Sequence, residues 1–201
     1  MSTISSQEAT KEVFKSGFVT LIGRPSAGKS SLLNALMGKK LAISSPTAQT
    51  TRHRFRAVHT TDSHQIIIVD TPGVHKPHDT LGEELNTTAL KSLEGIDVAA
   101  FVLDASAPFG TGDEWVISQL AQCSMPKLLV LSKIDLVTQE ELDLQRQRAL
   151  ETGQWDGVVA LSSVTGEQID TFIELVEQFL PAGPLWFPAD METDQPIEVI
   201  I

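Results

Sequence analysis

Only one cysteine, Cys123, occurs among the 201 residues. A single thiol can build neither a disulfide framework nor a thiolate metal site, so it reads as a half-buried, reduced cysteine. Long apolar runs are also missing. None approaches the ~20 residues needed to cross a bilayer. The first 15 residues are rich in Ser and Thr and mixed in charge, without the apolar core of a secretory signal. Together these absences predict a cytoplasmic protein with no transmembrane segment. Cations are scarce as well: 15 Lys and Arg stand against 26 Asp and Glu, a net charge of −11. A compact domain this acidic is a poor general binder of nucleic acid, because phosphate attraction needs clustered positive charge. Arg52, His53, Arg54 and Arg56 are the local exception, either a solvated strand face or a patch that faces phosphate.

What is present is an alternation of short apolar runs with amphipathic segments. Phe18–Ile22, Arg54–Thr61, Ile66–Val69 (with His64 and Gln65 opening the run), Val98–Leu103, Lys127–Leu131 and Val158–Leu161 read as strands. Lys29–Met37, Thr80–Leu93, Asp113–Leu120, Gln139–Glu151 and Gln168–Phe179 read as helices, with Gly38 and Pro181 as stops. Such alternation predicts an α/β fold: a doubly wound, mostly parallel six-stranded sheet with helices on both faces. The second and third strands form a hairpin that supplies one antiparallel edge strand. Residues 1–16 read as a flexible N-terminus and 17–180 as one domain. From residue 181 the chain becomes Pro-rich and acidic and reads as a linker over 181–201. Its last residues, Ile197–Ile201, are apolar and read as the start of a further domain.

The motifs narrow the chemistry. Gly23, Arg24, Pro25, Ser26, Ala27, Gly28, Lys29 and Ser30 fit G-x-x-x-x-G-K-[ST], with Ser31 following. A strand precedes the motif and a helix follows it, which is the arrangement of a P-loop NTPase. Its glycines let the backbone curl so that N–H groups meet phosphate oxygens at a helix N-terminus. Lys29 is placed to neutralise the β- and γ-phosphates and Ser30 to ligate Mg²⁺. Asp70, closing the third strand before Thr71-Pro72-Gly73, suits Mg²⁺ held through water, and the Gly73 N–H suits the γ-phosphate. The Ser- and Thr-rich segment 43–51 suits a loop that orders around that phosphate. Thr51, with Thr50 as the alternative, offers a hydroxyl to the metal.

Ser132-Lys133-Ile134-Asp135 follows the fifth strand. A carboxylate there can accept hydrogen bonds from guanine N1–H and its 2-amino group, a pair that adenine does not present. The Lys133 stem can lie over the base. Ser162-Ser163-Val164 follows the last strand, where a backbone N–H, of Ser163, can meet guanine O6. The site assigned in this way binds GTP or GDP with Mg²⁺, and Lys29, Thr51 and Gly73 act on the transferred phosphate.

GRPSAGKSSLLNAL, PTAQTTRHR, DTPG, SKID and SSVTG, in this order and spacing, resemble the Era family of bacterial GTPases from about Gly17 to Leu180. The tail FPADMETDQP, Phe187–Pro196, is similar to that family's linker. The resemblance implies slow GTP hydrolysis and a C-terminal KH domain that binds 16S ribosomal RNA in assembly of the 30S subunit. No G-x-x-G clamp of such a domain follows residue 181, so RNA contact is expected only through a part absent from this chain. Peripheral membrane association is a further family analogy. Three positions carry consequences. Ser26 replaces an Asn that helps ligate K⁺ in potassium-activated relatives, which leaves K⁺ stimulation doubtful. Ser132 replaces the Asn that braces the base pocket and contacts guanine N7. The expectation is a lost brace and weaker guanine binding, with specificity kept by Asp135. Val74 cannot orient water as the Gln of Ras-like proteins does. His53 and His75 read as loop residues without a chemical role. Two rivals remain at this level: a nucleotide-dependent binding module with incidental hydrolysis, and an adenine nucleotidase.

Overall fold

A computed structural model describes residues 13–37, 54–70 and 93–187. Six strands form one sheet: β1 Lys15–Ile22, β2 Arg54–Thr60, β3 His64–Asp70, β4 Val98–Asp104, β5 Lys127–Ser132 and β6 Gly157–Ala160. Their order is β2-β3-β1-β4-β5-β6. Pairing is parallel from β3 through β6, and β2 alone is antiparallel, at the edge beside β3. The expected architecture is therefore observed. The described helices are α1 Lys29–Leu36, α2 Thr111–Leu120, α3 Gln139–Thr152 and α4 Ile169–Phe179. The helix expected over 80–93 lies outside the described residues, apart from Leu93.

Burial on both faces explains why the central strands read as continuous apolar runs rather than alternating ones. In β4, Val98, Ala100 and Val102 enter one core with Leu32 and Leu36 of α1 and Phe172 and Val176 of α4. Ala99, Phe101 and Leu103 point the other way, into a second core with Val116, Ile117 and Leu120 of α2 and Ala149 of α3. Successive side chains of a strand face opposite sides, so a strand covered on both sides needs apolar residues at every position. Phe101 stacks on Trp155 with ring centres 5.6 Å apart, and the Trp155 Nε1–H donates to the Ala149 carbonyl at 2.9 Å. Cys123 is half-buried, and burial pushes its thiol pKa up, which keeps it in the inert thiol form.

The strand boundary at the bottom of the sheet differs from the sequence reading. β1 begins at Lys15, and the segment after α4 turns back to join it. Ser16 N–H donates to the Pro181 carbonyl at 3.1 Å and Gly183 N–H to the Phe14 carbonyl at 3.1 Å. The Ser16 hydroxyl reaches the Pro184 carbonyl at 2.7 Å. Residues 181–187 form a strap against the sheet, so the expected boundaries at 16/17 and 180/181 fall inside hydrogen-bonded structure. The reason is Gln65, which is fully buried. Its Nε2 donates to Thr60 Oγ1 at 2.9 Å and to the Phe187 carbonyl at 3.0 Å. Its Oε1 accepts from the N–H groups of Trp186 at 2.9 Å and Phe187 at 3.1 Å. Both donors and both lone pairs of the amide are used.

Gln65→Ala strips partners from three strap backbone groups. It is expected to cost about 1–3 kcal/mol in urea unfolding and to raise amide exchange at Trp186 and Phe187 relative to β4 and β5. Unchanged protection of those two amides would show that the strap is held by its apolar contacts instead.

Candidate nucleotide-binding site

β1 lies between β3 and β4, and the chain's route across the sheet changes direction there. The loop leaving its carboxyl end thus opens at the switch point where ligands of open α/β sheets bind. Residues 23–28 make this loop. A Cβ on Gly23 would come within 2.3 Å of the Val102 carbonyl oxygen, so only glycine fits this close to β4. The next turns use positive φ, +64° at Ser26 and +99° at Gly28. Ser26 is strained there as a side-chain-bearing residue, by about 1 kcal/mol. Gly28 is the N-cap of α1 and offers no side chain to its first turn, which leaves the N–H groups of that turn directed toward the loop mouth. Lys29 Nζ donates to the Gly23 and Arg24 carbonyls, both at 2.7 Å, which carries its ammonium back across the loop. Ala27 is buried, whereas Pro25, Ser26, Ser30 and Ser31 are exposed.

β4 and β5 end beside this loop. The Ser132 hydroxyl lies 2.6 Å from the Ala27 carbonyl and 3.1 Å from the Leu103 carbonyl. It is 2% exposed, and its one proton is shared between the two acceptors. A Cβ on Gly28 would touch Ser132 Oγ at 3.4 Å and Lys133 Cε at 3.9 Å. The expected loss of an asparagine contact to the base concerns the nucleotide itself; toward the phosphate loop Ser132 does make a bond. The shorter side chain still ties the base motif to the phosphate loop because the Ala27 carbonyl approaches closely enough for a hydroxyl to reach it.

Lys133 has φ +60°, unfavourable for a non-glycine residue. Its side chain is fixed by an ion pair, Nζ to Asp104 Oδ2 at 2.5 Å. The other oxygen of Asp104 accepts from the Ser106 N–H at 2.9 Å and the Ser106 hydroxyl at 2.6 Å. Burial pushes the Asp104 carboxyl pKa up, but the hydrogen bonds from Lys133 and Ser106 outweigh it and hold the value below the usual carboxylate range. Asp104 therefore stays ionised and keeps the Lys133 stem in place. Neither Asp104 nor Ser106 was singled out from the sequence. The available signal was a carboxylate at the carboxyl end of a parallel strand, the same signal that marked Asp70.

Asp135 lies in the 3₁₀ turn Ile134–Leu136 and is exposed. The Ser162 hydroxyl donates to its Oδ1 at 2.5 Å and accepts from the N–H groups of Val164 at 3.3 Å and Thr165 at 3.2 Å. Ser162 is fully buried. Its position is that of an orienting group behind Asp135, while Ser163 and Val164 form the turn beside it.

The residues 23–31, 132, 133, 135 and 162–164 named from the sequence thus gather along one edge of the sheet. Asp70 closes β3, whose Val69 pairs with Thr20 of β1, so its backbone lies next to the strand that enters the phosphate loop. Thr50, Thr51, Arg52, His53, Gly73, Val74 and His75 lie outside the described residues, as do the side chains of Arg54, Arg56 and Asp70.

A doubly wound sheet with a glycine-rich phosphate loop after its first strand defines the P-loop NTPase class. The sequence profile of the 50S ribosome-binding GTPases matches residues 18–133, and the chain belongs to this family. It is 42% identical over 188 residues to GTPase Era of Alkaliphilus metalliredigens, covering 94% of this chain and 64% of that protein. With GTPase Era of Crocosphaera subtropica the identity is 39% over 203 residues, covering 100% and 64%. The crystal structure of Era with MgGDPNP and nucleotides 1506–1542 of 16S ribosomal RNA superposes with a TM-score of 0.77 at 34% identity, over 93% of this chain and 64% of that one. Aquifex aeolicus Era bound to GDP·AlF4⁻ gives 0.73 at 34% identity, over 92% and 63%. The resemblance to Era carried by the motifs is borne out, and the chain spans about 64% of the length of these curated relatives. Among the described residues no helix is long and apolar enough to cross a membrane.

Ser132→Ala removes the hydroxyl that joins the two loops. Guanine-nucleotide Kd is expected to rise about 5- to 30-fold, from about 1–2 kcal/mol of lost bonding, in a titration with fluorescent GDP. An unchanged Kd would mean that the Ala27 contact has no part in binding.

Proposed function

We propose that this chain binds GTP and GDP with Mg²⁺ along the carboxyl edge of its sheet and hydrolyses GTP slowly to GDP and phosphate. The observation that carries this reading is the Ser132 hydroxyl on the Ala27 carbonyl. It couples a loop suited to phosphates to a carboxylate suited to guanine. Ser162 occupies one lone pair of Asp135, and a carboxylate has about four acceptor sites. Asp135 can therefore still accept from N1–H and the 2-amino group of guanine. The stem of Lys133, fixed by Asp104, supports the base plane.

On the phosphate side the N–H groups of Ser26 and residues 28–31 and the Lys29 ammonium stabilise negative charge that builds between the β- and γ-phosphates. The hard oxygen donors of Ser30 and Asp70 fit Mg²⁺; Ser30 is exposed in the first turn of α1, and Asp70 closes the strand paired with β1. Thr51, or Thr50, would complete that set. The metal, when bound, would neutralise phosphate charge. Gly73 would offer its N–H to the γ-phosphate. Val74 supplies no hydrogen bond to orient the attacking water, so positioning alone sets the rate. By resemblance to Era, the cytoplasm is the site of action. The 16S ribosomal RNA and 30S subunit would be reached through a KH domain outside this chain, and the acidic charge of the chain agrees with that division.

Asp135→Asn should weaken guanine-nucleotide binding by about 100-fold or more, because the paired donors of the base lose their acceptor, and should shift preference toward xanthine nucleotides. Competition binding checks both, and retained preference for guanine would remove Asp135 from the base site. Single-turnover hydrolysis without a partner is expected to stay below about 1 per second, as in GTPases without a cis arginine. A faster rate would show a water-orienting group elsewhere. Replacing Na⁺ by K⁺ should leave this rate nearly unchanged, whereas Ser26→Asn should make it rise in K⁺; equal stimulation of both proteins would show that Ser26 already serves the cation.

A further inference from the structure

Arg24, the second residue of the phosphate loop, is held by a part of the chain that no motif marks. Its Nε lies 2.9 Å from Asp113 Oδ1, and its Nη2 donates to the Pro108 carbonyl at 3.2 Å. Asp113 stands in the first turn of α2 and is 1% exposed. Its second oxygen accepts from the Gly110 N–H at 3.0 Å. The stem of Arg24 lies against Gly112, where a Cβ would meet Arg24 Cδ at 3.3 Å. On the loop side, the Arg24 carbonyl accepts from the Ala27 N–H at 3.3 Å and from Lys29 Nζ at 2.7 Å. One residue thus turns the phosphate loop with its carbonyl and fastens it to α2 with its guanidinium.

We propose that Asp113 is a positioning residue for the phosphate loop: acting through Arg24, it holds the turn that carries Lys29 in its binding conformation. This rests on the reading of the loop as a nucleotide site. The planar guanidinium suits the task because it bonds a carboxylate and a carbonyl at once, which an ammonium on a flexible stem does not do with the same geometry. Its commitment to Asp113 and Pro108 also directs its charge to α2 rather than to the phosphates. Asp113 also serves the fold: it accepts from the N-cap Gly110 N–H in the first turn of α2, where a carboxylate favours the helix. Burial pushes the Asp113 carboxyl pKa above its ordinary value, and the Gly110 N–H and Arg24 only partly offset it. A carboxyl shifted upward favours the folded state below its unfolded pKa, and that contribution is lost as pH rises through the folded value.

The test uses the whole chain with fluorescent GDP binding, single-turnover GTP hydrolysis and thermal unfolding without nucleotide. Asp113→Asn, close in shape, and Arg24→Ala are each expected to raise Kd about 10-fold, and the double variant to be no worse than either single one, the signature of a shared interaction. Arg24→Lys should resemble Arg24→Ala. The Kd rise of Asp113→Asn should persist at temperatures far below its unfolding midpoint, where the chain is folded. The proposal is overturned if Asp113→Asn leaves Kd and hydrolysis unchanged, if the double variant multiplies the single effects, or if the losses track a fall in the unfolding midpoint. A parent chain that binds nucleotide, and loses it in Lys29→Ala, separates failure of this proposal from failure of the nucleotide reading. A parent chain that binds none overturns both.

Discussion

One proton on Ser132 is shared between the carbonyls of Ala27 and Leu103, and both halves of the site are registered by it. The phosphate loop could not cross β4 with a side chain at residue 23. Gly23 is therefore a consequence of the short distance between loop and sheet, and Gly28 of a φ of +99°. The Ser132 hydroxyl reaches the Ala27 carbonyl directly in the space beside Gly28. Buried hydroxyls without partners are costly, so the same bond that couples the loops also requires them to stay in register.

Much of the architecture was readable because the physics behind it is local. The run Val98–Leu103 announces a strand covered on both faces, and the spacing Phe172, Ile173, Val176 and Phe179 announces a helix with one buried side. The Gln65 and Asp113 roles could not be read this way. Each depends on a partner about 90 or more residues away in sequence, Phe187 for Gln65 and Arg24 for Asp113. Neither residue differs in type from the solvated polar residues around it. Gln65 in particular looks like the polar start of a strand, and only the returning strap makes it the most densely bonded side chain at that end of the sheet.

The site was legible in its chemistry and less so in its support. Lys29, Ser30 and Asp135 were marked by motif spacing, since phosphate and guanine demand particular atoms at particular intervals. Asp104, Ser106 and the orienting part played by Ser162 hold those groups from behind, and many residue types can do that work. Ser132 shows the difference well. Its residue type suggested only a missing asparagine, whereas its bond to the Ala27 carbonyl depends on a backbone 105 residues away in sequence.

The strap at 181–187 has a practical meaning for how this molecule can be divided. A cut at Leu180, where composition suggests a boundary, would remove the partners that the Gln65 side chain finds at Trp186 and Phe187 and would open the lower ends of β1 and β3 to water. Residues 181–187 therefore belong with the sheet they cover. Because Gln65 and Asp70 share one strand, the strap is anchored five residues of β-strand away from the phosphate-loop edge.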